Sequence, residues 1–269
     1  MNHLLRSIAP VSEAGWTLLD EEARERLTPA LAARKLVDFS GPLGWDHSAT
    51  NLGRTSPLDS AREGVGSLVR RVLPLVELRA DFALSREELR DADRGAQDID
   101  LTALDNAAHE IAVAENVAVF HGWGEAITGV VTASTNEHEA LGKKVESYPS
   151  AVAGAVERLL CHGVAGPYGL ALGREPYRRV VETAEHGGYP LFDHLQKILD
   201  GPIVWAPGVI GAVVLSLRGG DFLFESGQDL SIGYGSHDEQ SVRLYLQESF
   251  SFRVATAEAA VELIPPAAS

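Results

Sequence analysis

Cysteine is nearly absent from this chain of 269 residues. Cys161 stands alone, which excludes an internal disulfide and any Cys-x-x-Cys metal or redox site. It follows Val156-Glu157-Arg158-Leu159-Leu160 and reads as a small buried hydrophobe rather than a reactive thiol. Lysine is scarce as well, with only Lys35, Lys143, Lys144 and Lys197. The net charge of −15 makes the surface acidic and arginine-dotted. Such a surface disfavours nucleic acid as the main partner, because phosphate binding needs basic patches. No apolar run approaches the length of a membrane span, and the N-terminus lacks a long apolar h-region. The expectation is a cytoplasmic protein with no membrane partner. Hydrophobic residues make up 45% of the chain, enough for the core of one or two domains.

Catalytic signatures are missing too. None of the nine histidines belongs to a His-Glu-x-x-His pattern, and no two are four apart. Asn136-Glu137-His138-Glu139 reads as a solvated loop before it reads as a cation site. Gly122-Trp123-Gly124 and Gly64-Val65-Gly66 each lack the third glycine of a dinucleotide fingerprint. There is no Walker loop and no Gly-x-Ser-x-Gly elbow. His186 lies in a glycine-rich loop, but no nucleophile or orienting acid accompanies it in the pattern. The chain is therefore read as no enzyme, with no catalytic residue, no bound metal and no cofactor.

What is present is a long extended stretch near the C-terminus. From Val242, the even positions run Val, Leu, Leu, Glu, Phe, Phe, Val and the odd ones Arg, Tyr, Gln, Ser, Ser, Arg. That alternation predicts one half-buried strand over 242–254, where ordinary strands run about five or six residues. Glu248 interrupts the apolar face and needs a buried partner, most simply an arginine. Upstream, Ser12 caps a predicted helix to Leu27, with Pro29 ending or kinking the run. Lys35–Phe39 reads as extended, and Gly41-Pro42 as a turn. Residues 51–71 have no clean period and read either as a mobile loop or as an arm ordered by a neighbour. A strand follows over 76–82, then a short helix behind the capping box Ser85–Glu88. A long helix over 101–117 carries an acidic face (Asp105, Glu110, Glu115) expected to be solvated. A helix over 149–163, strands at 169–172, 203–205 and 212–217, and helices at 177–185 and 191–199 suggest an inserted α/β unit in a larger α+β framework. Pro265–Ser269 reads as a disordered tail.

Several segments, in order, match one family. Gly227-Gln228-Asp229-Leu230-Ser231-Ile232-Gly233-Tyr234, Arg218-Gly219-Gly220-Asp221-Phe222 and Val242-Arg243-Leu244 resemble the encapsulin shell proteins of bacteria. So do Leu73 to Arg79, Gly166-Pro167-Tyr168, Tyr189-Pro190-Leu191 and Arg6-Ser7-Ile8-Ala9-Pro10. The resemblance covers nearly the whole chain. It implies an α+β fold like that of tailed-phage major capsid proteins. The implied divisions are a discontinuous peripheral domain (1–48, 72–132 and 219–262), an extended loop (49–71), an axial domain (133–218) and a flexible tail (263–269).

By the same resemblance, about sixty copies close into an icosahedral shell. The shell encloses a cargo enzyme, a dye-decolourising peroxidase ahead of a ferritin-like protein, docked through its C-terminal targeting peptide. The peptide site carried over by position comprises Leu31, Arg34 and Asp38, with Asp229, Ile232 and Tyr234 opposite. Arg34 and Asp38, four apart, equally suit a pair with each other or across a subunit contact. Glu185, His186, Gly187, Gly188 and Tyr189 would line a five-fold pore, with His186 making its charge pH-sensitive. Arg86-Glu87-Glu88 stand where some members stack a flavin on an aromatic residue, so no flavin is expected. Residues 49–74 lack the lysine that cross-links some phage capsids, so the shell is expected to be held non-covalently. Two other readings stay open: a domesticated phage capsid or bacteriocin-like particle with no enzyme cargo, and a subunit with hydrolase activity.

Overall fold

The computed structural model describes residues 3–184 and 188–265. The first helix, α1 (Glu13–Ala30), is capped by Ser12, whose side chain accepts the Gly15 N–H at 2.9 Å. Its stripe of Leu19, Ala23 and Leu27 is buried against a later helix. A 3-10 turn (Ala33–Lys35) leads into β1 (Asp38–Ser40). Two exposed strands, β2 (Ala49–Leu58) and β3 (Ser67–Pro74), precede β4 (Val76–Ser85) and α2 (Arg86–Asp93). The Ser85 side chain accepts the Glu87 N–H, but Glu88 turns away to accept the Asp100 N–H, so the expected capping box is only half made. Next come α3 (Thr102–Phe120), α4 (Val130–Ala133), β5 (Glu139–Ala140), α5 (Tyr148–Cys161), β6 (Tyr168–Leu172), α6 (Arg174–Glu182) and α7 (Leu191–Leu199). The chain ends through β7 (Ile203–Trp205), β8 (Ala212–Ser216), β9 (Phe222–Ser226), β10 (Ser231–His237), β11 (Ser241–Val254) and β12 (Ala260–Ile264).

The long predicted strand is the spine of the first sheet. Along one edge of β11 runs β4, antiparallel from Ser241 to Phe250. Along the other run β10 and then β9, with parallel β1 outside β9. Phe250 pairs with Val76 on one side and Ser226 on the other, which puts β9 and β10 on the same edge. The expectation of a half-buried strand is corrected. From Leu244 to Phe252 both faces of β11 are buried. The odd-numbered face lies under other groups: Arg79 sits 3.7 Å over the Tyr245 ring, and Thr50 Oγ1 meets Ser251 Oγ at 2.6 Å. Gly233 permits this packing, because a Cβ there would overlap the Tyr245 ring.

The second sheet runs β5-β12-β8-β6-β7, with every residue of β6 and β8 buried. Helix α5 packs on β8 and β12, and α6 and α7 pack on β6. Its helices bury one stripe each, Ala151, Val152, Ala155 and Leu159 on α5 and Leu191, Leu195 and Leu199 on α7. No helix of the described residues is long and apolar enough to cross a membrane.

Four expectations change here. Residues 51–71 are a hairpin rather than a structureless arm: β2 and β3 pair from Ala49↔Pro74 to Leu58↔Ser67. The acidic face of α3 is not all solvated, since Glu115 is fully buried. Cys161 is exposed; lying two residues past Leu159, it points away from the buried stripe of α5. The division at 262/263 falls inside β12, which pairs with β8 and β5 and so returns the chain to the second sheet.

Candidate functional site

β9 and β10 form one interrupted strand against β11, and the interruption builds a cleft. Ser226 pairs with Phe250 and Ser231 with Gln247, so four residues (227–230) stand opposite two, Glu248 and Ser249. The surplus must leave the ladder as a bulge. Ser249 stitches its base. It accepts the Gly227 N–H on its carbonyl (2.8 Å) and the Gln228 N–H on its hydroxyl (2.9 Å), and donates its own N–H to the Gln228 carbonyl (2.9 Å). Asp229 and Leu230 are left standing beside the C-terminal half of α1.

Between these walls lies a cleft of about 510 Å³, within the roughly 300–1,000 Å³ common for ligand sites. Ala23, Leu27, Leu31, Ile232 and Leu246 supply apolar lining. Leu4, Arg24, Thr28, Arg34, Asp229 and Ser231 add polar groups and rim. The N-terminal segment closes one end: the Tyr234 N–H donates to the Leu4 carbonyl at 2.8 Å. Arg6 forks onto the Asp20 carboxylate and stacks 4.3 Å over Trp16. Among the described residues the Arg24 guanidinium has no hydrogen-bond or ion-pair partner.

Arg34 is the electrostatic centre. Its Nε donates to Glu115 Oε2 at 2.7 Å, its Nη1 to Asp229 Oδ1 at 2.6 Å and its Nη2 to Glu248 Oε2 at 2.6 Å. The Phe39 and Phe224 rings lie 5.1 and 5.6 Å away. Glu115 and Glu248 are 0% and 1% exposed, whereas the Asp229 side chain is 43% exposed. Burial pulls the Arg34 pKa down, but the three carboxylates outweigh it and the net shift is upward. Burial raises Glu115, against the opposing charge of Arg34. Burial, reinforced by the charge of Glu115, carries Glu248 well above the ordinary carboxyl range. Next to this cluster Asn116 ties α3 to the chain after α1. Its Oδ1 accepts the Ala32 and Ala33 N–H groups, and its Nδ2 donates to the Ala30 and Pro207 carbonyls.

Of the residues expected at the peptide site, Leu31, Arg34, Asp229 and Ile232 converge on the cleft. Asp38 does not. It sits beyond the 3-10 turn, where its carboxylate accepts the Gly220 N–H at 2.6 Å, and it lines a separate cavity of about 210 Å³ with Lys35 and Gly219. The pairing of Arg34 with Asp38 is likewise not made; the guanidinium is already filled by three other acids. Tyr234 is buried beside the cleft rather than in it, with its hydroxyl 2.5 Å from His237 Nδ1. Of the pore candidates, Gly188 and Tyr189 are exposed, and Lys197 Nζ lies 4.9 Å over the Tyr189 ring. Glu185, His186 and Gly187 lie outside the described residues. Among the described residues no three His, Cys, Asp or Glu side chains gather to hold a metal.

Sequence reasoning missed Glu115, Arg24 and Leu27. Glu115 had a readable signal: it falls four after Ile111 and three after Ala112, on the apolar face of its helix.

The sequence model of the Linocin_M18 family, described as encapsulating protein for peroxidase, matches residues 1–251. The type 1 encapsulin shell protein of Rhodospirillum rubrum is 47% identical over 270 residues, covering 98% of this chain and 96% of that one. Among solved structures, a virus-like particle from Pyrococcus furiosus matches with a TM-score of 0.66 at 16% identity, over 92% of this chain and 98% of that one. The capsid of Myoviridae phage XM1 matches with a TM-score of 0.51 at 11% identity, over 87% and 91%. These likenesses establish the α+β fold of tailed-phage capsid subunits that the sequence led us to expect.

Proposed function

Because the chain belongs to the encapsulin shell-protein family, we propose that it is the subunit of a self-assembling icosahedral compartment of the cytoplasm that encloses a cargo enzyme. The subunit is structural rather than catalytic, like the shell proteins it resembles. About sixty copies related by icosahedral symmetry make the smallest such shell. Support for assembly comes from the β2–β3 hairpin. It exposes Leu58, Leu68, Val69 and Val72, and a lone two-stranded hairpin is marginal in water, so a neighbouring subunit is its natural partner. The hairpin (49–71 with its flanks) serves as the extended loop, the first sheet with α1 and α3 as the peripheral domain, and the second sheet, including β12, as the axial domain. The loop carrying Gly188 and Tyr189 faces the five-fold axis.

The observation that carries the cargo reading is the cleft between α1 and the β9–β10 bulge. Its apolar floor and its polar edge at Asp229 and Ser231 suit an extended peptide of small and apolar side chains, such as the C-terminal targeting peptide of a cargo enzyme. The family's description favours a peroxidase as that enzyme over a ferritin-like protein. The test is co-expression with a fluorescent reporter bearing the C-terminal segment of a peroxidase encoded beside the shell gene. Hollow particles that take up the reporter, and lose it on Leu31→Asp, support the reading. Uptake unchanged in Leu31→Asp moves the docking site elsewhere, and particles filled with DNA return the chain to a phage-like role.

A further inference from the structure

One guanidinium holds three acids beneath the cleft, and two of them have no route to water. Each oxygen that faces Arg34 accepts a hydrogen bond: Glu115 Oε2 at 2.7 Å and Glu248 Oε2 at 2.6 Å. The other oxygen of each carboxyl, Glu115 Oε1 and Glu248 Oε1, is buried and receives none. Both carboxyls are held by one guanidinium across the α3–β11 contact, Glu115 on its Nε and Glu248 on its Nη2. Were both ionised, two buried acceptor oxygens would be left with no donor. Two buried negative charges, with Asp229 at the surface beside them, would then share a single positive one.

We propose that Glu115 and Glu248 share one proton, carried by Glu248, and that this proton is a latch fastening β11 to α3 under the cleft. As a carboxylic acid, Glu248 donates to Glu115 and still accepts from Arg34. Arg34 and Glu115 then balance each other, and Asp229 meets solvent at the cleft edge. The other groups around Glu248 leave the balance unchanged. Leu78 pairs with it from β4, where the flanking Glu77 and Arg79 alternate to the other face with Arg79 over Tyr245; Phe224 on β9 and Phe39 on β1 flank Arg34, and Arg24 lines the cleft wall. The upward displacement of Glu248 by burial and by the charge of Glu115 agrees with this arrangement. The latch is independent of what the cleft binds.

Its sign is opposite to that of a salt bridge. Unfolded, Glu248 releases its proton above its ordinary value of 4.5; folded, it keeps the proton to higher pH. Between those two values the unfolded chain binds one proton fewer. The native state therefore loses stability as pH rises, by about tenfold in the unfolding constant per pH unit. Below 4.5 both states hold the proton and the latch is at full strength.

Denaturant unfolding of the full chain at a series of pH values, with and without Glu248→Gln, tests the proposal. The amide mimics the neutral acid, so the variant folds, and its stability relative to wild type grows by about tenfold per pH unit until the native Glu248 ionises. Infrared difference spectra at neutral pH show a carboxylic-acid carbonyl band in wild type that Glu248→Gln removes. A variant that fails to fold overturns the latch. So does one that is less stable by the same amount at every pH, with no acid band in wild type, because both carboxylates are then charged. An acid band removed by Glu115→Gln and kept by Glu248→Gln overturns the assignment to Glu248.

Discussion

β8 and β11 are both central strands, and both are buried along nearly their whole length, but they are filled differently. β8 reads Ala-Val-Val-Leu-Ser, and its one polar side chain, Ser216, donates to the Ala165 carbonyl at 2.7 Å. β11 buries Gln247, Glu248, Ser249 and Ser251 among its aromatic and aliphatic residues. Three of these have identifiable tasks: Glu248 receives Arg34, Ser249 stitches the bulge, and Ser251 meets Thr50 at the hairpin base. The second sheet is specified by side-chain volume, with helices covering it. The first is specified by hydrogen bonds that only particular partners satisfy. It carries the cleft and the hairpin because those features need fixed directions.

The comparison can be broken first at Arg34. Arg34→Met leaves Glu115 and Glu248 buried without their cation and is expected to cost about 3–5 kcal/mol, read from the denaturant midpoint. Replacing Arg34, Glu115 and Glu248 together by apolar residues should recover most of that loss, since a buried ion cluster and a packed apolar cluster are often similar in stability. A triple variant no better than the single one would show that the first sheet, too, is held by volume. In the second sheet Leu170 is fully buried on β6. Leu170→Ala is expected to cost about 2–4 kcal/mol at any pH, because no titrating group shares its site. Asn116→Ala strands the Ala32 and Ala33 N–H groups and is expected to cost about 2–3 kcal/mol, with hydrogen exchange rising first at those two amides.

Acid and alkali should loosen different parts of the first sheet. Burial pushes Glu225 up, but hydrogen bonds from Thr50 and from His47 Nε2 (2.8 Å) outweigh it, and its pKa is lowered from 4.5. A depressed carboxyl stabilises above its unfolded value and loses that contribution as pH falls through the folded one. Below about pH 4.5 the hairpin base should therefore open while Glu248 remains protonated. Hydrogen exchange across β2 and β3 as pH is lowered checks this. Glu225→Gln should show at neutral pH the low protection factors that wild type shows in acid. If exchange rises equally in β10, the two sites are not separable.

Part of this contrast was legible in the sequence. The alternation of β11 gave its length, and the misfit of Glu248 demanded a cation. The identity of that cation was not readable from pattern, because Arg34 lies more than two hundred residues away and only the fold brings it there. The second buried acid was overlooked because Glu115 was grouped with Asp105 and Glu110 on one acidic face, although its spacing from Ile111 put it on the buried face. The hairpin was invisible for a physical reason: both its faces are largely exposed, so burial imposes no alternation on its residues. Cys161 was misjudged from the apolar residues before it and the final strand from the implied division at 262/263, whereas helix phase sets the first and pairing with β8 the second. The cleft residues Leu31, Arg34, Asp229 and Ile232 came from family likeness. Asp38 lies outside the cleft, because the 3-10 turn at Ala33–Lys35 leads it to the Gly220 N–H and a separate cavity.

The smallest expected effect on stability lies at the cleft rim. Arg24 projects from α1 beside Thr28 and has no partner among the described residues, so Arg24→Ala should change unfolding by no more than about 0.5 kcal/mol. An unpaired cation at the mouth of the cleft nevertheless favours a ligand that brings an acidic group to it, and rim charges act mainly on association rate. Reporter uptake by Arg24→Ala particles should therefore slow and lose its salt dependence, while Leu31→Asp abolishes it at any ionic strength. Arg34, buried deeper in the same cleft, should show the reverse balance, a large loss of stability with little salt dependence. Should Arg24→Ala destabilise the fold as Arg34→Met does, the division between a cleft held from below and a rim left free for its ligand would have to be abandoned.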